Sequence, residues 1–310
     1  MTSLFRSREA LLALAIFGMT LGIAFRFPAF VTPNNLANVF NDTAPLMILA
    51  IGQMVVILTK CIDLSVAANL ALSGMVAALL NGAGLPLPLI LLAVVVLGAG
   101  LGAVNGLLVW KVGIPSIVVT LGMLSILKGG LISATGGSWI TDMPPGFMIA
   151  QMRLFNIPSA VYFMVVLTIA AALFMRYTDF GRAVYAVGGN IEAARAAGIN
   201  PERIVIGVFA LHGLFAGIAG ILFATQLQVI QSTVPPNLEL TVITASVIGG
   251  VSILGGTGTV IGSTLAAILF ACIGSALIFL NVSAYWLRAV LGLLILATVL
   301  ADMIRRRRSK

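Results

Sequence analysis

Two stretches of this chain contain no Asp, Glu, Lys or Arg: Leu64–Trp110, 47 residues, and Leu240–Leu287, 48 residues. A helix needs about 20 apolar residues to cross the hydrocarbon layer of a bilayer, so each stretch is long enough for two crossings. Soluble domains carry about a quarter charged residues. Of these 310 residues only 8% are charged and 60% are apolar, with a mean hydropathy of +1.16. A disordered chain, a secreted disulfide scaffold and a compact soluble enzyme are excluded. An outer-membrane barrel is excluded as well, because its strands are about ten residues long and alternate in polarity, whereas these runs are continuous. The expected fold class is an all-α polytopic membrane protein.

The apolar segments predict about ten transmembrane helices, at 10–26, 44–60, 64–81, 86–110, 115–134, 159–176, 204–227, 240–254, 259–281 and 285–304. An even number puts both termini on one side. With the termini in the cytoplasm, 13 of the 17 cations fall at cytoplasmic ends: Arg6, Arg8, Lys60, Lys111, Arg176, Arg182, Arg195, Arg203, Arg305–Arg308 and Lys310. The positive-inside bias selects that orientation and leaves Arg26, Lys128, Arg153 and Arg288 as exceptions. The short span 240–254 is kept because its loss would carry the Arg305–Arg308 cluster to the outside. Arg6 and Arg8 before the apolar Leu11–Phe25 have the layout of a signal peptide, but no small-residue cleavage site precedes Arg26, so this segment reads as a retained first span. The whole chain, 1–310, reads as a single transmembrane domain with an external loop at 135–158 and a charged cytoplasmic loop at 177–203. Division after the fifth span gives two five-helix halves that start on opposite faces, as an inverted repeat requires.

The chemistry available is sparse. Two cysteines, Cys61 and Cys272, lie in or beside apolar runs, and the single histidine, His212, has no second imidazole to share a metal. No cofactor is expected. The glycine-rich 255–262 stretch lacks the lysine of a phosphate-binding loop, so the chain cannot itself burn ATP. No nucleophile elbow, paired carboxylates or His–Glu metal helix is present, which argues against an enzyme. The cations are dispersed at span ends, so membrane topology rather than nucleic acid explains the net charge of +8. Asp63 is the one carboxylate deep among the spans, where a charge costs about 2.5–3.5 kcal/mol on insertion scales. It can cap the following helix by accepting its first amide hydrogens. With Ser65, Asn69 and Ser73 it can also form one polar line down that helix, used either for interhelical hydrogen bonds or for a watery path. Asn105, His212 and Gln226 read as isolated polar groups. The spacing of Gly255, Gly258 and Gly262 puts small residues on one helical face, which suits close helix packing.

The cytoplasmic loop is the most informative segment. Gly188 and Gly189 predict a turn, Asn190 an N-cap, and Gly198 followed by Pro201 a helix stop. The helix between them has about two turns and is marginal alone in water, so it must pack on something. Ala193, Ala194, Ala196 and Ala197 permit close approach, while Glu192 and Arg195 offer charges to a partner. This is the pattern of a docking helix, with an idle solvated loop as the alternative.

Three phrases resemble, in order, motifs of the ribose/xylose/arabinose/rhamnose-type ABC importer permeases: DLSVAANLALSG at 63–74, Gly181 with the RAVYAVGGNIEAARAAGI that follows it to position 199, and GGVSILGGTGTVIGS at 249–263. The resemblance covers nearly the whole chain. It implies a ten-helix subunit of the bacterial inner membrane that pairs with a second permease, of its own kind or a paralogue. It further implies docking of a cytoplasmic ABC ATPase, which binds the ATP, through Asn190, Glu192, Ala193, Ala194 and Gly198. A periplasmic or extracellular sugar-binding protein would deliver a monosaccharide, which passes near Asp63, Ser65 and Asn69 by alternating access. Such permeases commonly have glycine at the positions of Cys61 and Ala67, so a Cβ there bears on how tightly the turn closes and which sugar is accepted. The alternative is an ion-coupled secondary transporter, which would need intramembrane groups able to hold a proton or sodium.

Overall fold

A computed structural model describes residues 8–139, 152–227 and 234–283, with positions 286, 289, 290, 292, 293 and 296 beyond them. The described chain runs α1 (Arg8–Arg26), a 3-10 turn (Pro28–Val31), α2 (Pro33–Leu58), α3 (Val66–Gly82), α4 (Leu87–Lys111) and α5 (Ser116–Thr135). A short antiparallel hairpin follows, β1 (Arg153–Leu154) and β2 (Ile157–Pro158). Then come α6 (Ser159–Tyr177), α7 (Asp179–Gly189), α8 (Ile191–Ala196), α9 (Pro201–Leu227), α10 (Leu238–Ile248) and α11 (Val260–Phe279). Seven of these helices are long and apolar enough to cross a membrane: α1, α2, α4, α5, α6, α9 and α11. The all-α polytopic reading holds. Most of the expected span 285–304 and all of the Arg305–Arg308 cluster lie outside the described residues, as does much of the 135–158 loop.

Local sequence accounts for most helix starts. Proline occupies the first turn of α2, where its missing N–H costs nothing. Asn200 precedes α9 and accepts the Glu202 amide at 3.0 Å. Thr259 opens α11 by accepting from Gly262 at 3.1 Å. At the end of α2 the left-handed position is Lys60, with φ +64°. Cys61 and Ala67 are not in that region, so neither Cβ strains the turn.

α2 is the central post. Of its most apolar 18 residues 83% are buried, against none in α1, which lies on the outside of the bundle. α9 packs on α2, α3 and α4. The α4–α9 contact is backbone to backbone: a Cβ at Gly98 would lie 2.2 Å from the Gly213 carbonyl oxygen, and one at Gly102 would lie 2.1 Å from that of Phe209. Small residues at i and i+4 let two lipid-embedded helices approach this closely.

The expected span 240–254 is corrected. α10 ends at Ile248 and has 11 residues, about 17 Å of helix or roughly half the hydrocarbon thickness. Hydropathy missed the break because Val251, Ile253 and Leu254 keep the segment apolar. Gly250, Gly255 and Gly256 adopt φ of +97°, +81° and +74°, which no helix accommodates. For the same reason Gly255, Gly258 and Gly262 do not share a helical face: the first two precede α11 and only Gly262 is helical. Close approach is still their common property. A Cβ at Gly255 would lie 2.8 Å from the Leu58 carbonyl oxygen, and one at Gly262 would lie 2.0 Å from that of Gly249.

The two ends of the bundle are distinct. At one, Thr259 donates to Glu9 at 2.9 Å, Gly256 N–H donates to the Leu58 carbonyl at 3.0 Å, and Lys111 lies 3.7 Å from Glu202. At the other, Phe30 stacks edge-on against Phe279, and Gln226 donates to Asp42 at 2.5 Å. This grouping is the one that alternating passages require, and it puts α7 and α8 at the end that holds Glu9, Lys60 and Lys111.

Candidate functional site

At the break between α2 and α3 the chain leaves the helix for several residues, and the exposed backbone groups need partners inside the bundle. Asp63 supplies them locally: one carboxylate oxygen accepts the Ser65 amide at 2.8 Å and its hydroxyl at 2.7 Å. Gln53, on α2, donates its amide to the Asp63 carbonyl at 3.0 Å and accepts from the Asp63 N–H at 3.2 Å. The second carboxylate oxygen faces His212 of α9, with Nδ1 at 3.4 Å. Asn105 of α4 donates to the Ser65 hydroxyl at 2.9 Å. Further along α3, Asn69 donates to the Gly98 carbonyl at 3.2 Å and accepts from Ser73 at 3.2 Å. Four helices are thereby tied at one place.

All of these side chains are shut off from solvent: Gln53 and His212 are 0% exposed, Asp63 and Asn69 3%. Asp63, Ser65 and Asn69 are thus gathered into one polar knot, the interhelical arrangement that the polar line allowed. They line neither the apolar cavity of about 210 Å³ beside α6 nor the cavity of about 480 Å³ at the α7 end. Sequence reasoning left His212 and Asn105 isolated and passed over Gln53. Each is a polar residue within an apolar helix, which was the available signal, but nothing in the order of residues paired them. Gly52 completes the arrangement, since a Cβ there would lie 2.4 Å from the His212 ring.

The second region is the α7–α8 platform. Gly188 and Gly189 do not form a free turn but close the last turn of α7. A Cβ at Gly188 would come within 1.8 Å of the Leu58 carbonyl oxygen, so α7 is keyed against the end of α2. Burial raises the Tyr185 phenol above its ordinary pKa, keeping it a neutral donor, and it donates to the Gly258 carbonyl at 2.9 Å. Asn190 caps α8, its side-chain oxygen accepting from Glu192 at 3.0 Å and Ala193 at 3.1 Å. Gly198, at φ +80°, ends it, with the Ile199 amide donating back to the Ala194 carbonyl at 3.0 Å. Arg195 pairs with Glu192 at 3.2 Å and lies 5.9 Å from the Trp110 ring at the end of α4.

Glu192, Ala193 and Gly198 are exposed. Ala194 is 3% exposed. It anchors α8 to the bundle and is the one residue of the expected docking set turned away from any partner. A short turn after α8, α9 begins and runs past His212 to the far end. Asn190→Ala is expected to destabilise α8 by about 1 kcal/mol, the usual worth of such a cap. Faster amide exchange confined to 191–199 is the measurement that checks it.

The described chain is a bundle of apolar helices with a capped, surface-mounted α8 that leads through a short turn into the largely buried α9, an arrangement suited to a transport permease. The chain belongs to the family described as branched-chain amino acid transport system / permease component, matched over residues 35–299. It is similar to the autoinducer 2 import system permease protein LsrC of Salmonella typhi, 37% identical over 297 residues covering 96% of this chain and 86% of that one. The proteins of the same name from Yersinia enterocolitica (37% identical, 96% and 82% covered) and Photorhabdus luminescens (36%, 96% and 89%) are similar over the same extent. No solved structure matches. The resemblance to ABC importer permeases of the monosaccharide type, read from the three motifs, is borne out.

Proposed function

We propose that this chain is the membrane subunit of an ATP-driven importer in a bacterial inner membrane, with α8 in the cytoplasm as the docking helix of a separate ABC ATPase. The observation that carries this reading is the continuity from α8 into α9, which is glycine-packed on α4 and pinned to the α2–α3 break. Force applied to α8 then passes across the short turn at 197–200 into α9, which carries it to the bilayer core, and alternating access follows when each partner favours a different arrangement. An extracytoplasmic binding protein delivers the cargo, and a second permease subunit completes the path. Both termini are cytoplasmic, as the distribution of cations favours.

The cargo proposed is a small hydroxylated molecule of the sugar class, pentose, hexose or deoxyhexose, with autoinducer 2 the first to test because the relatives are named for it. Asp63, Ser65 and Asn69 lie near the path and shape its wall by holding α3 against α4 and α9, a role supported by their burial. The direct test is uptake into proteoliposomes containing the permease, its ATPase and its binding protein, with autoinducer 2, ribose, rhamnose and leucine offered in turn. ATP-dependent uptake of a hydroxylated cargo but not of leucine is expected. Uptake without the ATPase would instead favour the ion-coupled alternative and sink the proposal.

The docking surface has its own test. Glu192→Arg reverses an exposed charge without touching the cap, and it is expected to lower copurification of the ATPase by about tenfold, within the range of a single interface residue. Gly198→Val, at a left-handed position, should do the same by distorting the end of α8. Undiminished complex in both variants would remove the assignment.

A further inference from the structure

Between α6, α7 and α11, at the α8 end of the bundle, lies a cavity of about 480 Å³. Its lining divides by chemistry: Arg176, Arg182 and Tyr185 are polar, whereas Ala172, Met175 and Ile261 are apolar. The two arginines are differently occupied. Arg182 pairs with Asp179 and donates to the Tyr177 carbonyl at 3.0 Å. Arg176 has only the face of the Tyr177 ring, 5.3 Å from its guanidinium carbon, and no carboxylate partner among the described residues. Glu9, the other carboxylate nearby, is held by the Thr259 hydroxyl. One unneutralised cation therefore faces the cavity.

The apolar side continues toward the bilayer. Val166, Ile169 and Leu173 follow one another along α6 at i, i+3 and i+7, on the face that Arg176 terminates one turn later. They are 66%, 55% and 52% exposed, and Ile261, across the cavity on α11, is 56% exposed. In a membrane helix such a row faces hydrocarbon. A charge without a protein partner, at the head of a lipid-facing row and beside a cavity of ligand size, fits a molecule with an anionic head and apolar tails.

We infer that this cavity is a binding site for an anionic phospholipid of the cytoplasmic leaflet, its phosphate on Arg176 and its acyl chains along Leu173, Ile169 and Val166. The inference rests on the orientation proposed above. Basic pockets between helices at the cytoplasmic face are suited to such headgroups, and a planar guanidinium matches a phosphate bidentately. Because α7 forms one wall and leads directly into α8, an occupied site braces the platform on which the ATPase is proposed to act.

The test uses the assembled importer in nanodiscs of phosphatidylcholine with an equal share of phosphatidylglycerol, followed by native mass spectrometry of the lipids retained. Preferential retention of phosphatidylglycerol is expected. Arg176→Gln should reduce that preference by about fivefold, the effect of one cation near a membrane surface, while Arg176→Lys restores part of it. Ala172→Phe, which fills the cavity without altering charge, should abolish the preference and guards against a folding artefact in the arginine variant. Equal retention of the two lipids in the unaltered protein, as would follow if the ATPase or a second permease covered the cavity, overturns the inference. So does displacement of phosphatidylglycerol by millimolar inorganic phosphate, which would make the site one for free anion. Orientation is read separately by labelling Ala193→Cys with an impermeant maleimide. Reaction from outside the cell would sink the proposed topology, whereas no lipid preference in the unaltered protein, with ATP-driven uptake intact, would sink the lipid site alone.

Discussion

Gly102→Ala is expected to unseat α9 from α4, while Gly100→Ala, two residues away on the same helix, is expected to leave the protein as stable or more so. The new Cβ at 102 would lie 2.1 Å from the Phe209 carbonyl oxygen and 2.8 Å from its carbon. These are backbone atoms of a long buried helix, so no rotamer change relieves the clash. Overpacking of this kind costs about 1–3 kcal/mol. The upper end is expected here, because separating the helices also loosens the neighbouring contacts at Gly98 and Gly106. At Gly100 nothing lies within 4 Å of the added atom, and alanine gains up to about 1 kcal/mol over glycine in a helix. Thermal denaturation of the two variants in detergent decides the matter. If their midpoints coincide, the backbone-to-backbone seam does not hold the bundle together.

Asp63→Ala is expected to cost about 1–3 kcal/mol for each buried Ser65 donor it leaves without its acceptor. The substitution removes the acceptor of the Ser65 amide and hydroxyl and leaves His212 facing no carboxylate. Asp63→Asn keeps a side-chain acceptor and should lose less than half as much. His212→Ala should be harmful as well, since it removes a fully buried ring and leaves a void beside Gly52 and Asp63. The double variant should cost less than the sum of the two, because residues in contact are not additive. Denaturation midpoints and ATP-driven uptake should fall together if the pair pins the transmembrane lever. Additive losses in the double variant would show that Asp63 and His212 act independently.

Some of this site was readable in the residue order and some was not. Asn190 could be recognised as a cap because its partners stand two and three positions away, and Gly198 as a stop because a left-handed residue there closes the helix on itself. Asp63 could be recognised as out of place because a carboxylate in hydrocarbon demands a partner. That the partner is His212, 149 positions away, depends on how α9 is rotated about its axis against α2 and α3. The inward turn of Ala194 has the same origin: four alanines in a two-turn helix look alike until one is pressed against the bundle.

The membrane class, the order of the spans and the ends at which charge collects are properties of the chain read a few residues at a time. They follow from hydropathy, helix length and caps, which involve near neighbours only. The broken α10, the left-handed glycines that follow it, the glycine seam between α4 and α9 and the polar knot at Asp63 arise from segments far apart in the chain. An apolar run looks the same to a hydropathy sum whether its backbone is helical or looped, and a lone polar residue carries no mark of the helix it will meet. Only packing, which sets the rotation and spacing of each helix against its neighbours, chooses among those outcomes.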